Sequence, residues 1–510
     1  MRRLALLALV WLAAGCSQAP VAGPTTPAST PPPRPNVLFI VVDDLATQLP
    51  IYGNTLVQAP NFERLAARSV KFDHAYAQFP LCNPSRSSFL SGHYPTTTGV
   101  LDNLAILQAR HPEFITLPRY LRQAGYLTMH SGKLFHGGID EPEAWVLGGE
   151  ARSPGAGAKG GDKQREERLR RLDAPVRKSL PRQTEQEKHD RETRSDHWEA
   201  VAREESLPDY GIASEAIRLL REQRKEPFFL GVGFLRPHSP FIAPAKYFDL
   251  YPPEKIPLPA NFAPRPTPSP GAPKVALLPT NGDVFVRRDA SPEEARQFIA
   301  AYYACISYID AQLGRVLDAL EEEGLAERTV IVLTSDHGYH LGEKGKWSKD
   351  SSLYEPVLRV PLLISAPGAY AHGAASPRTV ELVDLYPTLM ELLGLAPPEG
   401  LEGRSLVPLL LDPLAQHNRP AVSVAAWEGT IVGRSIRTER YRLTEWFGGK
   451  RGTEFYDYES DPQEVDNQAR NPEYRAQRKR LKALLRARAP VPEWDSEPPA
   501  DESADGPEKN

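Results

Sequence analysis

Three carboxylates stand where the chain turns. Asp43 and Asp44 close the apolar run NVLFIVV (36–42), and Asp336, with His337 beside it, follows a second run at 329–334 by way of Ser335. If the two runs are parallel strands of one sheet, these groups meet at one rim, because ligands bind outside the carboxyl ends of such strands. Carboxylates that close raise one another's pKa, and a hard divalent cation, Ca²⁺ before Mg²⁺, is the natural neutraliser. An Asp pair after a strand also serves as a cap or turn; the third carboxylate turns the reading toward metal. Cys82 is the other chemical feature, beginning Cys82-Asn83-Pro84-Ser85-Arg86-Ser87-Ser88-Phe89-Leu90-Ser91-Gly92. Pro84 suits a first helical turn and Gly92 a helix stop, so the cysteine falls at a helix N-terminus. Free N–H groups and the dipole favour an anion there, and Arg86, one turn on, adds fixed positive charge.

The elements that must hold these residues read as strand, loop, helix, repeated. Apolar runs at 36–42, 126–129, 228–232, 329–334 and 362–365 alternate with helical segments, one of them near 61–68. Such alternation predicts an α/β fold with a large, mostly parallel central sheet flanked by helices. Cys305 shares a helical face with Ile306, Ile309, Leu313, Leu317 and Leu320 and is read as core. No internal repeat is present. Residues 148–207, rich in Gly, Arg and Glu, interrupt the pattern and read as a solvated insertion that could line a cleft. After Arg419 the segments AVSVAA, GTIVGRSIRT and RYRLTEW predict a small antiparallel sheet, followed by a helix over 472–488.

Composition fits this reading. With 510 residues, 41% apolar and 25% charged, the chain is globular, and a net charge of −4 gives nucleic acid no electrostatic reason to bind. Three cysteines, Cys16, Cys82 and Cys305, leave no disulfide framework. Arg2 and Arg3 precede an apolar run, Leu4 to Ala14, that is too short to span a bilayer and reads as an export signal. Leu12-Ala13-Ala14-Gly15-Cys16 resembles a bacterial lipobox, which implies a lipid anchor on Cys16; cleavage by an ordinary signal peptidase is the alternative. A Pro-rich tether over 16–35 and an acidic, Pro-rich tail over 489–510 bracket the folded part. Ser17 points to the outer membrane, so the expected location is the cell envelope, periplasmic or outer-membrane attached.

Cys82 to Arg86 reads Cys-x-Pro-x-Arg and resembles the sulfatase motif whose cysteine is oxidised to formylglycine. Gly125 to His136 is similar to the family's second motif, and Glu454 to Asp457 through Asp461-Pro462 to its C-terminal segment; the likeness covers roughly 35–470. Asp43-Asp44, Leu81 to Gly92, Arg236-Pro237-His238 and Asp336 to Lys349 look most like the iduronate 2-sulfatase branch. The resemblance implies an alkaline-phosphatase-like fold; together with the segments read above, the expected organisation is signal 1–15, tether 16–35, catalytic domain 36–418, C-terminal subdomain 419–488 and tail 489–510. It implies Ca²⁺ held by Asp43, Asp44, Asp336, His337 and the modified Cys82, whose hydrated aldehyde attacks sulfur and later expels sulfate. Arg86 would hold that hydrate, while Lys133, His136, His238 and Lys349 surround the sulfate and leaving group, with His238 or Lys349 as the proton donor. A maturation enzyme that oxidises Cys82 and a sulfated carbohydrate substrate are implied partners. Asn83, Ser91 and Thr96 depart from the commonest family residues and bear on substrate choice rather than reaction type. Two other readings stay open: a phosphonate or phosphodiester hydrolase of the same superfamily, and a non-catalytic surface protein that binds sulfated glycan and keeps an unmodified Cys82.

Overall fold

The structure, a computed structural model, describes residues 34–137, 139–149, 198–222, 227–280, 283–285, 288–368 and 370–495. The readings placed on 1–33, including Cys16, on 150–197 of the insertion and on 496–510 lie outside the described residues.

Eleven of the described strands precede the C-terminal sheet: β1 (Asn36–Val42), β2 (Val70–Tyr76), β3 (Leu127–Gly132), β4 (Leu147–Gly149), β5 (Trp198–Val201), β6 (Phe228–Phe234), β7 (Phe241–Pro244), β8 (Thr329–Ser335), β9 (Arg359–Val360), β10 (Leu362–Ser365) and β11 (Ala375–Glu381). The central sheet has the order β11-β2-β10-β8-β1-β6-β3-β4, with β9 on β2, and a separate pair joins β5 to β7. From β8 to β4 the pairings are parallel; β10 alone runs against both of its neighbours. The expected mostly parallel sheet is therefore present, with β10 and the short β9 reversed. Neither β2 nor β11 was expected. Lys71, Asp73 and His74 break the apolar run of β2, and ASPRTVE scarcely reads as a strand at all; tertiary pairing overrides such weak propensity.

Burial on both faces explains the unbroken apolar runs. Successive strand residues point to opposite faces, so Leu38, Ile40 and Val42 enter one core and Val37, Phe39 and Val41 the other. The principal helices are α1 (Pro60–Ala67), α2 (Cys82–Ser91), α3 (Pro208–Glu222), α4 (Pro292–Glu322) and α5 (Arg475–Arg488). Helices α1, α3 and α4 pack on the Leu38 face, while Phe89 and Leu90 bring α2 to the Val37 face. Helix α4 opens with a Ser291–Glu294 capping box and buries Cys305, as its periodicity predicts. The C-terminal sheet is antiparallel in the order β12 (Ala421–Trp427), β13 (Thr430–Arg437), β14 (Tyr441–Trp446) and β15 (Thr453–Asp457), followed by α5. It adds one strand, β15, to the three expected. It joins the segment leading to Cys82 directly: Val424 N donates to Gln78 O at 3.0 Å and Ser423 Oγ to Ala77 O at 2.6 Å. Among the described residues no helix is long and apolar enough to cross a membrane.

Candidate active site

Register alone gathers the candidate residues. Val42 pairs with Ser335 on one side and Phe234 on the other, so Asp43, Asp336 and the 235–238 turn leave three adjacent strands at one level. Gly132 pairs with Gly233, and Lys133 follows at once from the next strand. Asp43 N still donates to Phe234 O at 3.1 Å. Asp44 then adopts φ 63°, a left-handed conformation that costs less for Asp than for most residues. The Tyr302 hydroxyl fixes that turn by donating to Asp44 O at 2.7 Å and accepting from Ala46 N at 2.8 Å.

Cys82 is the first residue of α2 and 1% exposed. Its Sγ lies 3.3 Å from His337 Nε2. The next amide, Asn83 N, donates to Asn103 Oδ1 at 3.0 Å, and Asn83 Nδ2 reaches the carbonyls of Asp102 (2.8 Å) and Ala105 (2.7 Å). One turn on, the buried Arg86 donates from Nε to Asp336 Oδ2 and from Nη2 to Asp43 Oδ1, both at 2.9 Å. Its Nη1 takes the carbonyls of Lys133 (2.5 Å) and Leu134 (3.0 Å). Lys133 Nζ meets Asp43 Oδ2 at 2.7 Å, and Lys349 Nζ meets both Asp44 oxygens at 2.7 Å.

Ligand atoms of Asp43, Asp44, Cys82 and His238 all lie within 4.8 Å of one another, as do those of Cys82, Asp336 and His337. His136 stands within electrostatic reach of Lys133 and Asp43. All ten residues singled out in the sequence thus come to one rim. His238, expected only beside the leaving group, also joins the ligand cluster. Three carboxylates face three cations here, and two of those cations are lysines on flexible stems. The Asp oxygens of this set, with histidine nitrogens beside them, could hold a divalent cation, which would take over the lysines' share of the carboxylate charge.

Burial would raise the carboxyl of Asp43, but Lys133 and Arg86 hold it well below its usual range. Asp44 is lowered likewise: burial opposes, while His238 and Lys349 prevail. Burial also works against the charge on Lys349, yet Asp44 holds its pKa far up. For Cys82, burial and then Asp43 push the thiol well above its ordinary value, despite Lys133 and Lys349. The sequence alone favours an anion at this helix end; burial, and after it the carboxylates beside the thiol, reverse that, so an unmodified thiol is a poor nucleophile here. Burial, with Lys133, drives His136 down to about 3, and its buried Nδ1 has no partner among the described residues. It is a neutral imidazole with an open hydrogen-bonding atom.

Sequence reasoning missed the residues that brace this rim. Ser335 Oγ accepts from Leu45 N at 2.9 Å and lies 2.7 Å from the Val42 and His337 carbonyls; Ser85 Oγ donates to Asp336 O. A polar residue at the end of an apolar run was the available signal for Ser335. Tyr302 had none, because it lies in the middle of α4.

The mostly parallel sheet, with carboxylates, cations and a helix N-terminus at its strand ends, is the alkaline-phosphatase-like hydrolase architecture that the sulfatase resemblance implied. The sulfatase family pattern matches residues 35–395, and the C-terminal pattern of N-sulphoglucosamine sulphohydrolase matches 342–489. A sulfatase of Formosa agariphila is 35% identical over 481 residues, 91% of this chain and 88% of that one. Iduronate 2-sulfatase of Homo sapiens is 32% identical over 530 residues, covering 86% and 90%. Among solved structures, the phosphonate monoester hydrolase of Agrobacterium radiobacter superposes with TM-score 0.69 at 26% identity, covering 89% of this chain and 95% of that one. The chain belongs to the sulfatase family and is a sulfuric ester hydrolase.

Proposed function

We propose that this sulfatase cleaves sulfate monoesters of sulfated saccharides, in the manner of an iduronate 2-sulfatase, with formylglycine made from Cys82 and a divalent metal, Ca²⁺ before Mg²⁺. The observation that carries this reading is Cys82 at the start of α2 within 4.8 Å of both carboxylate–histidine groups. Asp43, Asp44, Asp336, His337 and the position-82 side chain would hold the ion, with His238 close enough to join them. Together the ion and the hydrated aldehyde supply charge neutralisation and an oxygen nucleophile for sulfur.

The chain's own residues do the rest. Arg86, fixed by four acceptors, orients the position-82 side chain and adds positive charge at the equatorial sulfate oxygens. Lys133 adds a second charge on a flexible stem. Neutral His136 offers its unpartnered Nδ1 as a hydrogen-bonding atom for the bound ester. Lys349, whose Nζ reaches both Asp44 oxygens at 2.7 Å, would be the donor to the departing oxygen, with His238 beside it as a hydrogen-bonding group.

The host's maturation enzyme would act on Cys82 before export, and Cys16 would anchor the product to the cell envelope; loss of lipid labelling in Cys16→Ala checks the anchor. For the reaction, the peptide carrying Cys82 is weighed by mass spectrometry in protein from the native host, and turnover of a sulfated disaccharide is measured with and without chelator. Aldehyde at position 82 and Ca²⁺-restored turnover are expected. A free thiol in every molecule would leave a glycan-binding protein without its nucleophile. The likeness to phosphonate monoester hydrolase favours one second reading, hydrolysis of phosphonate esters; matched aryl sulfate and aryl phosphonate substrates separate the two.

A further inference from the structure

Residues 340–352, which deliver Lys349, contain neither helix nor strand. What holds them is a buried carboxylate outside the rim. Asp283 Oδ2 accepts from Lys346 Nζ at 3.0 Å and from Thr280 N at 2.6 Å, while Oδ1 accepts from Ser348 Oγ at 2.9 Å and Trp347 N at 3.4 Å. Its donors thus include three consecutive residues, 346 to 348, immediately before Lys349. Lys346 Nζ donates further to Leu278 O at 2.8 Å, and Trp347 O accepts from Val284 N (3.2 Å) and Tyr339 Oη (2.7 Å). Asp283 is 4% exposed and Lys346 0%.

A buried ion pair is a poor way to gain stability, since an apolar pair of similar volume does as well or better. What directional hydrogen bonds supply instead is position. A displacement of about 1 Å in a group that meets the reacting centre costs on the order of a hundredfold in rate.

We propose that Asp283, paired with Lys346, is a positioning residue for the reaction: it fixes the 346–348 segment so that Lys349 Nζ stands against Asp44 at the leaving-group side. This rests on the role given to Lys349 above.

The test measures kcat and KM for wild type, Asp283→Asn, Lys349→Ala and the double variant Asp283→Leu/Lys346→Met, using sulfate esters whose leaving groups range from acidic phenols to sugar hydroxyls, with melting curves alongside. Lys349→Ala should lose most on the least acidic leaving groups. Asp283→Asn should show the same slope in smaller measure, about tenfold in kcat for the saccharide and within about threefold for the most acidic phenol, at nearly unchanged KM. The double variant leaves no charge buried alone but leaves the Thr280 and Trp347 amides and the Ser348 hydroxyl without their acceptor, so it should stay folded, melt somewhat below wild type and be slow on the saccharide. A uniform loss across leaving groups, no loss, or recovery of turnover together with stability in the double variant overturns the positioning role. Full activity in Lys349→Ala is a separate failure, since it removes the proposed proton donor itself.

Discussion

At Arg86 one guanidinium, 0% exposed, serves Asp336, Asp43 and the carbonyls of Lys133 and Leu134. A planar fork can meet four acceptors at fixed angles, whereas an ammonium is a point charge on a flexible stem. Arg86→Lys keeps the charge but leaves some of these buried acceptors without a donor, so it should cost about 1–3 kcal/mol and abolish measurable turnover. Chemical denaturation checks the first effect and an aryl sulfate assay the second; a variant of wild-type stability would show the fork to be dispensable. Cys82 and Arg86 were legible in the sequence because they lie one helical turn apart and their relation is local. Tyr302 was not, since its contact with Asp44 spans 258 positions.

The strand ends work as a unit because glycine lets them approach. A Cβ at Gly233 would stand 1.9 Å from Lys133 O, the atom that accepts from Arg86 Nη1. Gly233→Ala should displace Lys133, destabilise the fold by about 1–3 kcal/mol as overpacking does, and lower kcat/KM at least about tenfold through the misplaced lysine. Paired melting and kinetic measurements read both, and an active, stable variant would show that β3 and β6 can part without harm. A second device joins two helices. Ala59 cannot cap α1, so Asp310 of α4 does, accepting from Asn61 N at 2.8 Å, Phe62 N at 2.9 Å and Asn61 Nδ2 at 2.9 Å. Asp310→Ala is expected to cost about 1–2 kcal/mol, as lost caps do, with little change in kcat; an unaltered denaturation midpoint would refute the cap. The sequence offered no sign of this cap, because donor and acceptor lie 249 positions apart.

Across the whole molecule, a buried acid pair connects the end of β11 to the C-terminal elements. Arg488 of α5 meets Glu381 at 2.5 Å, and Arg419 Nε meets the same carboxylate at 3.2 Å. Asp384, beside it, is pushed up to about 7 by burial and by Glu381. A folded pKa above the unfolded one means that the folded chain keeps a proton the unfolded chain has lost. Between about pH 4 and 7 the contribution of Asp384 to stability therefore falls as pH rises. Asp384→Asn, which stays uncharged, should gain on wild type from pH 5 to pH 8, seen as a melting-temperature difference moving in the variant's favour. A difference constant with pH would show that Asp384 remains ionised throughout.

Local order determined much of this protein. Unbroken apolar runs required a sheet buried on both faces, and the residues ending those runs drew attention because strand ends are where a parallel sheet meets its ligand. The order of side chains from Cys82 to Arg86, with Gly125 to His136 and the segment from Glu454 to Pro462, carried the family likeness. Tertiary structure decided what pairwise register and burial decide: that Val42, Phe234 and Ser335 share one level, that β10 runs backward, that a helix end inclined to hold an anion is overruled by burial and then by Asp43, and that Asp283 holds the Lys349 loop. Those outcomes depend on distances between residues far apart in the chain, and no local pattern encodes a distance that only folding sets.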